Sequence, residues 1–331
     1  MKQIRWGIMG TGWIAERFCT ALSAIKEQGA VIYAIGSRAQ DTADAFAARY
    51  GAVKAYDSYE KLVSDPDVDV IYVATPHRFH HENALLCIQH GKSILCEKAF
   101  TVNAAQAREI ADLAKEKGVF VMEAFWPRFQ PLNRALKKAI CEDKIIGDIR
   151  LMQTDFDKIE DWPDDHRIYN PHLAGGTMLD LGIYTMSYTT YFMGRDVEDI
   201  HAVATIGKGG VDDQCAMLVK FKNGSISMQS AALQTEGRRE ALFLGTKGQI
   251  RVPNFFRAEY YDWTDYATGE TKRIQSEPFI QNGYEYEALE VMECIREGKP
   301  ESDIMSLSET VQLMQLLDAC RAEYGFVYPF E

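Results

Sequence analysis

Two side chains in this 331-residue chain, Lys98 and Tyr184, are of types that can move a proton at a hydroxyl-bearing carbon. Lys98 follows the strand-like run Ser93-Ile94-Leu95-Cys96 and Glu97. In an open α/β sheet, ligands gather beyond the carboxyl ends of the strands. Tyr184 comes four residues after Asp180, behind the pair Gly175-Gly176, so on a helix the two side chains are neighbours. A phenol of pKa ~10 is a poor base at neutral pH. An ammonium about 4 Å away favours its phenolate by roughly 4 kcal/mol at an effective dielectric of 20, a drop of up to about three pH units. Tyr184 beside Lys98 would then take a proton from a substrate hydroxyl. Asp180 would orient Lys98 or hold another hydroxyl. Asp180 and Tyr184 also fit a plainer structure, a capping aspartate and a core tyrosine.

Residues 4–15 supply the element that positions a partner for this chemistry. The apolar run Ile4–Met9 reads as a buried strand, and Gly10-Thr11-Gly12-Trp13-Ile14-Ala15 turns it into a helix. Gly10 makes the tight turn, Gly12 lets backbone approach a pyrophosphate, and Ala15 permits close packing. The free N–H groups at Gly10, Thr11, Gly12, Trp13 and Ile14 and the helix dipole favour an anion. The next strand, Val31–Ile35, ends in Gly36-Ser37-Arg38, where a domain specific for NAD carries a carboxylate. A hydroxyl and a guanidinium suit a 2′-phosphate instead, so NADP(H) is preferred and NAD(H) remains possible. Arg38 alone would also fit an ordinary surface position. Thr75, Pro76, His77 and His80 follow the strand 68–74 and fall at the same sheet edge. His80 and His81 lack a third ligand at fitting spacing, so no metal is expected, and a helix-start or packing role suits them better.

Composition excludes several classes. Hydrophobic residues are 47%, charged residues 25% and net charge −12, a balance typical of globular proteins and opposed to a broad nucleic-acid surface. No apolar run is long enough to span a bilayer. The first 20 residues read as strand–turn–helix rather than as a leader. Seven cysteines, none in a C-x-x-C pair, suit buried thiols in a reducing compartment. A cytoplasmic protein without membrane or nucleic-acid partners is expected.

The texture changes along the chain. Strands and helices alternate to Val119–Met122, and a crossing segment runs over Glu123–Phe129. Strand-like stretches then recur at 149–157, 200–206, 214–222, 225–233, 239–244 and 249–252, with helices at 176–193, 284–297 and 306–324. The fold class is α/β. A doubly wound parallel sheet over 1–123 would bind NADP, and 124–331 would form an α/β domain with a large, mostly antiparallel open sheet for substrate and oligomerisation.

Taken together, Gly10–Ala15, Thr75-Pro76 with His80, Glu97-Lys98, and Gly175-Gly176 with Asp180 and Tyr184 resemble the Gfo/Idh/MocA oxidoreductases, the glucose–fructose oxidoreductase and inositol dehydrogenase family. Residues 122–129 and 170–176 resemble the branch containing dimeric dihydrodiol dehydrogenase and NADP-dependent aldose dehydrogenases. The resemblance implies a Rossmann domain followed by an open-sheet domain, often used for homodimers or homotetramers. It implies proton transfer by Lys98 and Tyr184 with Asp180 nearby, and cofactor contacts that include Thr75, Pro76, His80, Glu97, Lys98, Trp126 and Arg128. Ala99 stands where the family commonly has proline, and Tyr184 where many members have histidine; tyrosine is the habit of the sugar- and dihydrodiol-oxidising branch.

Asp155, Phe156, Asp161, Trp162, Asp165, His166, Arg167 and Tyr169 precede the Asp180 helix. Aromatic faces beside hydrogen-bonding groups suit a sugar or cyclic diol, and they equally suit a loop docked on a sheet. The expected substrate-binding set is Lys98, Trp126, Phe156, Arg167, Asp180 and Tyr184. The expected activity is hydride transfer between a nicotinamide and a secondary alcohol, hemiacetal or carbonyl of a sugar-like or cyclic diol substrate. A redox-assisted glycosidase that retains NAD, or a non-catalytic NADP-binding regulator, are the alternatives.

Overall fold

The computed structural model describes residues 2–159, 162–163 and 165–331; Asp161 lies outside them. The chain divides into two compact units, Met1–Trp126 with Phe279–Val311, and Pro127–Pro278 with Gln312–Glu331. The expected division at 123/124 placed residues 279–311 in the second unit, whereas they pack with the first.

In the first unit, six parallel strands β1 (Ile4–Met9), β2 (Ala30–Gly36), β3 (Lys54–Tyr56), β4 (Val70–Val73), β5 (Ser93–Glu97) and β6 (Val121–Ala124) lie in the order β3-β2-β1-β4-β5-β6. Parallel strands covered on both faces need continuous apolar runs, and every residue of β4 is buried. The intervening helices are α1 (Trp13–Ala24), α2 (Gln40–Tyr50), α3 (Tyr59–Val63), α4 (His80–Gln89) and α5 (Ala104–Lys117). Phe18 of α1 stacks on Tyr72 of β4 with ring centroids 3.8 Å apart. The Asn103 side chain caps α5 by accepting the Gln106 N–H at 3.0 Å.

The second unit opens with α6 (Pro131–Lys137) and strand β7 (Ile149–Asp157). A five-residue π turn, Met178–Gly182, leads into α7 (Ile183–Met193), where a single α-helix was expected from Gly176. Strands β8 (Val197–Ile206), β9 (Asp212–Phe221), β10 (Ile226–Ala232), β11 (Glu240–Gly245), β12 (Gly248–Pro253), β13 (Tyr260–Asp265) and β14 (Thr271–Gln275) follow. The sheet order is β14-β13-β12-β11-β7-β10-β9-β8, antiparallel except for the β7–β10 pair. Helix α7 packs on β7 and β10. The opposite face is open, and on it Val203, Leu218 and Met228 are 69%, 50% and 44% exposed.

The chain then returns to the first unit. Helix α8 (Glu285–Glu297) packs on α1, Asn282 Nδ2 donates to Arg17 O at 2.9 Å, and Arg296 Nη2 donates to Gln28 O at 2.7 Å. Helix α9 (Leu307–Glu323) carries the chain back to the second unit.

Candidate active site

The end of β1 forms an anion cradle. Gly10 has φ 103°, and a Cβ there would stand 3.0 Å from Ala74 O, so neither the turn nor the neighbouring strand leaves room for a side chain. Its N–H donates to Gly36 O at 3.0 Å. The turn therefore lies where β1 meets β2 on one side and β4 on the other, the topological switch point of such sheets. Gly12 is the N-cap of α1, is exposed, and has open space above its Cα. The twelve residues of α1 aim their dipole and free N–H groups at that space. This geometry fits a dinucleotide pyrophosphate. At the end of β2, Ser37 is buried with its N–H on Tyr56 O at 3.0 Å, and Arg38 is exposed. Burial raises the Tyr59 phenol, and the Arg38 charge opposes that shift.

The ends of β4 and β5 are stapled together by histidines. His80 is fully buried, with Nδ1 2.8 Å from Ala99 O and Nε2 2.7 Å from Thr75 O. His77 Nε2 lies 3.1 Å from Lys98 O. Asn83 Nδ2 donates to Thr75 Oγ1 at 3.1 Å. His80, the first residue of α4, joins the backbone at Thr75 to that at Ala99, the residue after Lys98. The Lys98–Ala99 peptide is cis. Glu97 is buried, accepts from Tyr72 OH, and accepts the Lys98 N–H at 3.2 Å. Nearby on α8, Glu287 is wholly buried, and neither of its carboxyl oxygens has a hydrogen-bond partner among the described residues. Burial, reinforced by Glu97 and Glu285, pushes its pKa well above the usual carboxyl range. Trp126 is 5% exposed and stacks on Tyr284 at 4.6 Å. Gly283, with φ 102°, leaves room for the Trp126 ring, which a Cβ there would meet at 2.8 Å.

In the second unit the turn before the π segment is crowded. A Cβ on Gly175 would stand 2.4 Å from Arg167 O, and Gly176 has φ 112°. Asp180 and Tyr184 are 7% and 8% exposed. Both terminal nitrogens of Arg167 lie 3.4 Å from Asp180 Oδ1. Phe156 meets Tyr184 edge-on at 5.0 Å, and Phe256 lies 6.3 Å from the Tyr184 ring and stacks on Phe156 at 4.5 Å. The structure thus brings Phe156, Arg167, Asp180 and Tyr184 together within one unit.

Two family models match the chain: "Oxidoreductase family, NAD-binding Rossmann fold" over residues 4–125, and "GFO/IDH/MocA C-terminal domain" over residues 134–251. The chain belongs to the Gfo/Idh/MocA oxidoreductase family. Among its relatives, trans-1,2-dihydrobenzene-1,2-diol dehydrogenase of Mus musculus is 34% identical, the match covering 98% of each chain. D-xylose 1-dehydrogenase (NADP(+)) of Hypocrea jecorina is 32% identical over 98% of this chain and 93% of that one. The fold is shared with levoglucosan dehydrogenase in complex with NADH and levoglucosan (TM-score 0.88, 21% identity, 98% of each chain). It is shared also with an Actinomadura kijaniata 3-ketoreductase in complex with NADP and TDP-benzene (TM-score 0.87, 24% identity, 98% of each chain).

Two further residues, Arg128 and Phe256, bear on the surroundings of Tyr184 and α7. Arg128, expected at the cofactor, is fully buried; it donates to Ser187 O at 2.9 Å and lies over the Tyr191 ring at 5.0 Å, so it braces α7. Phe256 was not singled out at all. It follows Asn254, whose φ of 47° breaks the chain after β12. Gln130 Nε2 donates to Phe256 O at 2.7 Å and holds the ring toward Tyr184. The adjacent pair Phe255-Phe256 between two strands was the available signal.

Proposed function

We propose that the protein is an NADP(H)-dependent dehydrogenase or reductase acting on a CH–OH group of a cyclic diol or aldose. The observation that carries this reading is Tyr184, a phenol four residues after the Arg167-paired Asp180 and walled by Phe156 and Phe256. Flat aromatic walls suit a ring's apolar face, and the Asp180–Arg167 pair suits its hydroxyls. The relatives' names, a dihydrodiol dehydrogenase and an NADP-dependent xylose dehydrogenase, support the same substrate classes. NADP(H), when bound, exchanges hydride with the substrate carbon. Gly10, Thr11, Gly12, Trp13 and Ile14 would hold its pyrophosphate, and Ser37 and Arg38 its 2′-phosphate. Thr75, Pro76, Glu97 and Trp126 would line the rest, with His80 setting the backbone there. Tyr184, as a phenolate favoured by the Lys98 ammonium, would take the hydroxyl proton and become the neutral phenol. Asp180 and Arg167 fix a second hydroxyl.

The open sheet face is the proposed homo-oligomer surface, dimeric or tetrameric. Its apolar side chains surround a depression of ≈ 540 Å³ that also carries His201, Arg238 and Glu240. No helix among the described residues is long and apolar enough to cross a membrane, and a cytoplasmic location is part of the proposal.

The test is a fluorescence titration with NADPH and NADH in parallel, then turnover of D-xylose, inositols and trans-dihydrodiols. Tighter NADPH binding with net oxidation of one substrate is expected. Cofactor retained without net turnover would favour the redox-assisted glycosidase, and no binding of either nucleotide would remove the reading.

A further inference from the structure

The π turn that carries Asp180 starts from a tether made elsewhere in the second unit. Asp212, the first residue of β9, is fully buried, and its Oδ2 accepts the Met178 N–H at 2.6 Å. Met178 is the first residue of the turn. Asp212 Oδ1 has no hydrogen-bond partner among the described residues, and a Cβ on Gly176 would stand 2.2 Å from it. The carboxyl is therefore pressed against the turn, and only glycine fits there.

Gly175 is held from another direction. Tyr328, 1% exposed, donates its phenol O–H to Gly175 O at 2.7 Å. The Tyr328 ring lies under the Arg321 guanidinium at 5.1 Å and stacks on Phe330 at 5.7 Å. Arg321 of α9 pairs with Glu331 at 2.7 Å, and the Tyr328 N–H donates to Glu331 Oε2 at 2.9 Å. Residues 326–331 thus form a folded clasp on α9, from which Tyr328 bonds to Gly175.

We propose that Asp212 and Tyr328 are positioning residues that fix the turn at Gly175–Met178 and thereby set where Asp180 and Tyr184 stand. The proposal rests on the proton-transfer role given above to Tyr184. Two short bonds from separate elements, β9 and the clasp, converge on four consecutive residues. A shift of that turn is transmitted directly to a side chain two residues on and to another six residues on, because no loop intervenes to absorb it.

The tether also titrates. Burial raises the Asp212 carboxyl to about 7, opposed by the Met178 N–H and Arg321 and reinforced by Asp213. Tyr324 of α9, Tyr328 of the clasp and Cys215 of β9 also face it. Above that pH, Asp212 is an anion accepting a charge-assisted bond at the start of a helical segment, where a negative charge is favoured. Below it, the acceptor is a neutral carboxyl.

The experiment uses the full chain with Asp212→Asn, Asp212→Ala, Tyr328→Phe and Tyr184→Phe. Amide exchange over residues 176–184 needs no substrate. It is read beside kcat and KM for D-xylose and trans-1,2-dihydrobenzene-1,2-diol with NADP+, across pH. Tyr328→Phe and Asp212→Ala are expected to speed that exchange and lower kcat about 5- to 10-fold, with NADPH affinity unchanged. Asp212→Asn, whose amide oxygen still accepts from Met178, should keep the protection and the plateau kcat but lose an inflection near neutral pH. Unchanged exchange in Tyr328→Phe and Asp212→Ala overturns the tether, and faster exchange with unchanged kcat overturns the positioning role. If Tyr184→Phe keeps its turnover, the catalytic reading fails and the positioning role falls with it, while exchange still reports the tether separately.

Discussion

Glu287 and Tyr184 show how differently one sequence can use ionisable groups. Glu287 is wholly buried near Glu97, and neither of its carboxyl oxygens has a hydrogen-bond partner among the described residues. Its folded pKa lies above its unfolded one. Its contribution to stability is therefore complete below the usual carboxyl pKa of ~4.3 and is lost as pH rises through the folded value. Glu287→Gln, neutral at every pH, should match the parent's melting temperature in acid and exceed it increasingly toward alkaline pH. A pH-independent difference in thermal unfolding would show that Glu287 is not held protonated. Tyr184 sits among aromatic walls and is proposed to release and regain a proton in each turnover. Tyr184→Phe should lower kcat by about 10²–10⁴-fold without changing NADPH affinity in a fluorescence titration. On the roles proposed for them, Lys98→Ala should lower kcat comparably, and the two losses should not add.

At the scale of elements, what the sequence revealed depended on how local the physics was. The β1–α1 turn was legible because Gly10 and Ala15 answer constraints imposed within a few residues, and both are where the spacing required. Ser37-Arg38 at the end of β2 is proposed to hold the 2′-phosphate. Arg38→Ala should weaken NADPH binding about tenfold or more, by loss of a charge-assisted contact, and leave NADH binding nearly unchanged in parallel titrations. Strands β13 and β14 escaped notice because β14 is an exposed edge strand with no apolar alternation, although Tyr260, Tyr261 and Trp263 were a usable signal in β13. The π turn at Met178–Gly182 was invisible because residues 174–190 are buried on every side, so the sequence carries no polar face whose phase the extra residue would shift. Asp212 was missed for a different reason. Its importance comes from a contact 34 residues away in sequence, and nothing local distinguishes it from a surface aspartate.

For the whole molecule, the open face of the second sheet leaves apolar surface to be covered. Val203, Leu218 and Met228 leave apolar surface exposed across three adjacent strands, and contiguous patches of this kind mark association surfaces. Leu218→Glu should lower the mass measured by light scattering toward that of a single chain, with NADPH binding retained; an unchanged mass would place any assembly elsewhere. The net charge of −12 fits the handling of small molecules better than nucleic acid. The discontinuity of the first unit bears on how the protein is made. Its N-terminal 126 residues emerge from the ribosome long before residues 279–311, which supply α8 and the seat for Trp126. Roughly 150 residues separate them, and at ~5–20 residues per second the nascent unit waits on the order of ten seconds or more for its last helix. During that interval the faces of α1 and Trp126 that α8 and Tyr284 will cover are uncovered, a window in which a chaperone has something to hold.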